Sequence, residues 1–333
     1  MSDPVLLTFT VMKNEGPFIV EWVAWQRLMG VDRILVLSND CDDGTDLILD
    51  QLDRMGVVRH LPNPMAIAPA ESALRLKPHT TGIAYARLLR DWRDADYVFL
   101  SDVDEFPVLT GGDGGLKDLL ARLDWPDVLS ISETVFGIGD RIAYEDRPVT
   151  GQFVQCSSTR PGKWRSRRGF KSITRTDPRL SIRNHRPIAR KAAAGDLSWL
   201  DGSGRPFPED LRHVHQKGTD ARGMFDLVTL HHYALRSLES FLVKVARGDA
   251  VVENRVDKTY FRRRNQSFER NDTMLAHQDR LAGEIDRLKA DARLAELHDR
   301  AVEAHRAKIE TLKRTPLYED LLRMVKAPAR ADG

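Results

Sequence analysis

The chain is short of the features that would set it apart from ordinary globular proteins. Only two cysteines, Cys41 and Cys156, occur in 333 residues. That excludes a disulfide framework, and neither stands in a Cys/His spacing that holds zinc. No apolar run approaches the roughly 18 residues of a membrane-spanning helix. The stretch Met1 to Met12 lacks the basic segment and cleavable apolar core of a secretory leader. A reducing, cytoplasmic setting is therefore expected. An excess of charge is missing too, with 51 Lys+Arg against 49 Asp+Glu and a formal net charge of +2. General polyanion binders accumulate Lys and Arg for phosphate contacts, so no nucleic-acid partner is expected. With 41% hydrophobic residues, the chain has material for a real core and is not mainly disordered.

What is present is an alternation of strands and helices. Val5 to Val11 is apolar and β-branched, which predicts a buried strand. Pro17 opens a helix along which Phe18, Ile19, Trp22, Val23, Trp25, Leu28 and Met29 recur, and Gly30 caps it. Ile34 to Leu37 and Val57 to Leu61 predict further strands around a helix that Asp43-Gly44-Thr45 begins. Tyr97 to Leu100 is the fourth strand. Strands separated by helices predict an α/β fold with a mostly parallel sheet, helices on both faces, and ligands beyond the carboxyl ends of the strands. Later, Val128 to Ser132 predicts a strand and Leu238 to Ala246 a helix. From about Asp272 to Lys313 a helical tail carries an apolar stripe that includes Leu281, Leu288, Leu294 and Leu297.

Two clusters fall on the expected ligand edge. Asp102-Val103-Asp104-Glu105 follows the fourth strand directly. Carboxylates so close repel unless a cation or protonation intervenes, and hard oxygen ligands suit Mg²⁺ or Mn²⁺, which bridge to a diphosphate. A solvated acidic turn is the plain alternative, disfavoured by the apolar residues on either side. Lys13-Asn14-Glu15 and Ser38-Asn39-Asp40-Cys41-Asp42-Asp43-Gly44-Thr45 each follow a strand, where short polar groups hold a base or ribose or merely cap a helix.

Thr10-Val11-Met12-Lys13-Asn14-Glu15, Glu21-Trp22, Asn39-Asp40-Cys41-Asp42-Asp43-Gly44-Thr45, Asp102-Val103-Asp104-Glu105-Phe106 and His231-His232-Tyr233 together resemble the family 2-like glycosyltransferases of the GT-A fold. The subgroup they are most similar to also resembles glycosyltransferase family 92. The resemblance continues through Arg236-Ser237, Glu239, Phe241, Lys244 and Arg247-Gly248. It implies a Rossmann-like mixed sheet with helices on both faces, in a domain over residues 1–250. That domain comprises a nucleotide-binding half (1–110) and an acceptor half (111–250), followed by a helical C-terminal extension (251–333). It implies transfer of a sugar from a nucleotide-sugar donor, with a UDP-sugar favoured, to a glycan, glycolipid or other hydroxyl acceptor, with inversion. The metal, Mn²⁺ or Mg²⁺, would be held by Asp102, Asp104 and His232. The donor would be held by Thr10, Lys13, Asn14, Glu15, Asn39, Asp43 and Asp102. Ser38-Asn39 replaces the acidic pair that many family 2 members use for uracil, which leaves the base open.

An inverting transfer needs a general base. Glu209 and Asp210, after Pro208 and upstream of His232, are chosen for it, with Asp201, Asp226 and Glu133 as competitors and helix capping as the bland alternative. Residues 163–190 carry ten Lys/Arg against one acid, Asp177. The stretch suits a diphosphate, an anionic glycan or an acidic lipid headgroup, hence peripheral association at the inner face of the membrane, or it is simply a solvated surface. The same Asp-x-Asp also admits a haloacid-dehalogenase-like phosphohydrolase, and loss of turnover would leave a nucleotide-sugar-binding or glycan-binding protein.

Overall fold

The structure, a computed structural model, describes residues 3–67, 77–110, 114–158, 167–190, 196–212, 219–220, 224–247 and 258–326. The first half is built as the alternation predicts. Strands β1 (Leu6–Met12), β2 (Arg33–Ser38), β3 (Arg59–Pro62) and β4 (Tyr97–Leu100) pair in the order 3-2-1-4, all in parallel. Helices α1 (Ile19–Leu28), α2 (Thr45–Arg54) and α3 (Pro78–Ala86) lie between them in the chain. Gly30 closes the α1 end at φ +74°, the left-handed conformation that glycine adopts without penalty.

Beyond β4 the sheet ceases to be parallel. Strands β5 (Glu105–Leu109), β6 (Val128–Val135), β7 (Phe170–Arg175), β8 (Trp199–Asp201) and β9 (Val228–His232) complete it. Among the described residues the sheet has nine strands, ordered 3-2-1-4-7-6-9-5, with β8 beside β6. β7 lies antiparallel between β4 and β6, while β9 runs parallel to β6 and antiparallel to β5. The mostly parallel expectation thus holds for the first four strands, and the whole is the mixed α/β sheet that the motifs imply. Pro107 is tolerated in β5 because that strand ends the sheet, and its carbonyl accepts the Trp25 indole N–H at 2.8 Å.

Helices cover both faces. On one, Trp22 and Trp25 of α1 join Leu281 and Leu288 of α7 (Gln278–Lys289) and Leu294, Leu297 and Ala301 of α8 (Ala292–Leu312). On the other, Ile83, Ala86 and Trp92 pack on Leu7, Phe9, Leu35 and Val98. The tail is core, as its apolar stripe suggests, but it is not one helix. Asp291 interrupts it, its side chain accepting the Leu294 N–H at 2.8 Å and so starting α8 anew. The tail also seats closely on the first loop, since a Cβ at Gly16 would stand 2.7 Å from that of Ala301. Numbered in chain order, α4 is Leu116–Arg122, α5 Leu238–Arg247, α6 Lys258–Arg264 and α9 Pro316–Lys326. Leu321 of α9 packs with Leu238, Phe241 and Leu242 of α5.

Candidate functional site

Strand β4 delivers Asp102, Val103 and Asp104 to the carboxyl edge, where a tight turn leads back into β5. Asp102 N–H donates to Glu105 Oε2 at 2.9 Å, and Glu105 N–H donates to the Asp102 carbonyl at 3.0 Å. The β9–β5 register sets His232 opposite Glu105. Because strand side chains alternate, His231 turns the other way. It is buried against Phe136 with ring centroids 4.7 Å apart, and burial holds its pKa far below normal. His232 is the one of the pair that reaches the edge.

Every buried acid at this edge has a cation on it. Lys171 of β7, 1% exposed, stands 2.9 Å from Asp102 Oδ2 and 3.3 Å from Glu105 Oε2, and donates to Asn184 Oδ1 at 2.9 Å. Lys244 of α5 donates to Asp104 Oδ2 at 2.8 Å and to the Ala234 carbonyl at 2.9 Å. His232 places Nδ1 2.8 Å from Glu133 Oε2 and Nε2 3.6 Å from Asp104 Oδ1. Glu133 also takes Arg264 at 3.0 Å and the Gly169 N–H at 2.7 Å. A Cβ at Gly169 would stand 2.9 Å from the Glu133 carboxyl, so glycine is needed for that approach. Glu15 pairs with Arg236 at 2.7 Å and with Arg247.

The electrostatics follow. Burial disfavours charge on Asp104 and Glu133, yet Lys244 and His232 for the first, and Arg264 and His232 for the second, hold both well below the usual carboxylate range. Burial likewise opposes charge on His232, but Asp104 and Glu133 outweigh it and raise the imidazolium to about 10. Glu105 goes the other way, burial and the neighbouring Asp102 and Asp104 raising it against Lys171. His185 is driven down to about 4 by burial and by Lys171.

These groups surround a cavity of about 190 Å³, whose lining includes Lys13, Glu15, Asp102, Asp104, Glu105, Glu133, His232, Lys244, Arg247 and Arg264. Of the sequence candidates, it gathers Lys13, Glu15, Asp102, Asp104 and His232. Thr10, Asn14, Asn39 and Asp43 are not in its lining. Thr10 is buried inside β1. Asn14 and Asp42 tie the first two loops together, Asn14 Nδ2 donating at 2.6 Å and its Oδ1 accepting the Asp42 N–H at 2.9 Å. Asp43 accepts the Thr45 and Gly16 N–H groups at 2.9 and 3.0 Å, and Asn39 is buried beside Asn63. Glu209 is exposed on a four-residue helix, and the Asp210 side chain lies outside the described residues. Asp201 accepts the Ser203 and Arg205 N–H groups as a turn cap.

The basic stretch is not a uniform solvated face. Its Phe170–Arg175 portion is a central strand with Lys171 at its heart. Lys163 and Arg165 lie outside the described residues, as do the side chains of Arg167 and Arg168. Lys171 belongs to the basic stretch that the sequence marks as suited to a diphosphate, but Arg264 and His79, whose Nε2 is 3.9 Å from Asp102, carried no sequence signal as site residues, because their role depends on which strands and helices meet.

Asp102, Asp104 and His232 do not make an open donor set for a divalent cation. Among the described residues no group of three or more His, Cys, Asp or Glu is placed to hold a metal ion, and an ammonium already sits on each aspartate.

A mixed α/β sheet of GT-A type thus brings acids and cations from its carboxyl edge round one cavity. The chain belongs to glycosyltransferase family 92, whose sequence profile matches residues 10–195. It is similar to a glycosyltransferase family 92 protein of Oryza sativa subsp. japonica, 29% identical over 173 residues that make up 50% of this chain and 26% of that protein. The chain thus spans about a quarter of that relative's length. Among solved structures it is similar to S. aureus TarS, with a TM-score of 0.34 and 14% identity over 92% of this chain and 55% of that one. It is also similar to TarS 1–349 in complex with UDP, with a TM-score of 0.33 and 14% identity over 93% and 91% of the two chains.

Proposed function

We propose that this chain transfers a sugar from a nucleotide-sugar donor, a UDP-sugar by preference, to a hydroxyl of a glycan or glycolipid. The observation that carries the proposal is the meeting of Lys13, Lys244, Arg247 and Arg264 with Asp102, Asp104 and His232 at one cavity, in a chain of glycosyltransferase family 92. Fixed cations aimed at a diphosphate stabilise the negative charge that grows on it as the anomeric C–O bond breaks, and they cost little reorganisation at that moment. The acids orient the cations, and Glu133 holds His232 charged and in place.

Transfer is read as inverting. The acceptor oxygen forms its bond to the anomeric carbon as the bond to the diphosphate breaks, the electron pair leaves on the β-phosphate oxygen, and the acceptor proton passes to a carboxylate base. Glu209 and Asp210 keep that role in the proposal. Mn²⁺ or Mg²⁺ is given no step, since lysines occupy both aspartates. No helix among the described residues is long and apolar enough to cross a membrane, and peripheral contact through the basic stretch belongs to the same proposal. A thermal-shift panel of nucleotide sugars tests the donor. UDP-sugars should raise the unfolding midpoint and their free sugars should not; no response to any nucleotide sugar contradicts the proposal.

A further inference from the structure

A metal in a diphosphate site does two things: it cancels the repulsion among its acidic ligands, and it offers positive charge to the phosphates. Here the protein's own side chains already supply both. Five carboxylates line the cavity, Glu15, Asp102, Asp104, Glu105 and Glu133. Without counting any histidine, five cations sit on them. Arg236 and Arg247 hold Glu15, Lys171 is shared by Asp102 and Glu105, Lys244 is on Asp104, and Arg264 is on Glu133. Lys171 and Arg236 stand behind the lining; with Lys13 of the lining, the lining acids and their partners together hold six cations to five carboxylates, a balance that suits an anion.

The two lysines are also anchored. Lys171 is 1% exposed, with Asn184 as a third partner, and Lys244 is held by the Ala234 carbonyl. A dication bridging Asp102 and Asp104 would have to stand beside two buried ammoniums or expel them, and like charges repel strongly where water is excluded.

We propose that the donor's diphosphate is bound by this chain's own cations, with Lys244 and Lys171 standing on Asp104 and Asp102 where a divalent metal would otherwise be needed, so that nucleotide binding requires no divalent metal. Lys244, Arg247 and Lys13 line the cavity and meet the phosphates, while Lys171 is a positioning residue for Asp102. The proposal rests on the nucleotide-sugar reading of this cavity.

The test is calorimetry of the full chain with UDP, and with inorganic pyrophosphate as a probe that does not depend on the base, in EDTA and again in MnCl₂. Affinity is expected to agree within about twofold between the two media, and to weaken as salt rises. Lys244→Met should weaken binding in EDTA by about tenfold or more. It should also acquire a response to Mn²⁺ that the wild type lacks, because the place beside Asp104 is vacated. Binding that appears only with Mn²⁺ in the wild type overturns the inference and leaves the donor reading standing. Unchanged affinity in Lys244→Met also overturns it. No binding of either probe in either medium overturns both. The wild-type comparison stands whether or not the variant folds.

Discussion

His232 Nδ1 stands 2.8 Å from Glu133 Oε2, joining two neighbouring parallel strands through a buried charged pair. The ring's charge is therefore set by its neighbours. Replacing Glu133 with Gln removes one of the two anions that raise His232 to about 10 against burial. Its pKa should fall, measured by an NMR titration of the ring proton. The sign for stability follows: a raised histidine stabilises fully below its unfolded value of about 6.5 and loses that contribution as pH rises through the folded value. Wild-type stability should decline from neutral pH towards pH 10, and that decline should be shallower in Glu133→Gln.

Glu21 has a structural task. Buried in α1, it accepts the Val149 and Thr150 N–H groups at 2.7 and 2.9 Å and the Thr150 hydroxyl at 2.8 Å. Removing it strands three donors, so Glu21→Ala should cost about 3 kcal/mol or more in urea unfolding, and Glu21→Gln less. An intact cavity predicts that the folded Gln variant keeps wild-type affinity for UDP.

His305 of α8 is packed against Phe18 and Tyr144, with ring centroids 5.5 and 4.6 Å apart, and Ser240 Oγ is 3.3 Å away. Burial, with Arg236 and Arg247 adding repulsion and Glu15 opposing it, lowers its pKa to about 4. A lowered histidine is neutral when folded and takes up its proton on unfolding, so stability is lost as pH falls from about 6.5 to about 4. His305→Phe should flatten that limb by up to about 3 kcal/mol, read from unfolding midpoints across the range.

Glu209 and Asp210 follow a different logic. If they supply the base, E209Q/D210N should lower kcat by about a hundredfold or more with little change in donor affinity. Retained turnover removes them from the mechanism.

The first four strands were legible because their apolar runs are short and bounded by turn residues, and Asp102 and Asp104 because they directly follow one of those runs. Of the later strands, Val128–Val135 was legible by its apolar start, and the others were hidden by composition. Phe170–Arg175 has only Phe170 and Ile173 as apolar residues among Lys, Ser, Thr and Arg and shows no strand period, yet all but its last residue are buried between β4 and β6. Its lysine is tolerated there only because Asp102 and Glu105 arrive from a turn some 70 positions earlier, a pairing no local pattern contains. Asn14 and Asp43 were visible as loop residues, but that they bind each other's loops depends on how β1 and β2 end side by side.

The most direct measurement of the central claim is release of UDP from a panel of UDP-sugars by the purified chain, with and without glycan acceptors, against Asp104→Asn and Lys244→Met. The account predicts acceptor-stimulated UDP release by the wild type that falls by about a hundredfold or more in both variants. UDP binding without any release would mark a binding protein, phosphate release from simple phosphoesters a phosphohydrolase, and undiminished release in both variants would move the chemistry away from this cavity; each contradicts it.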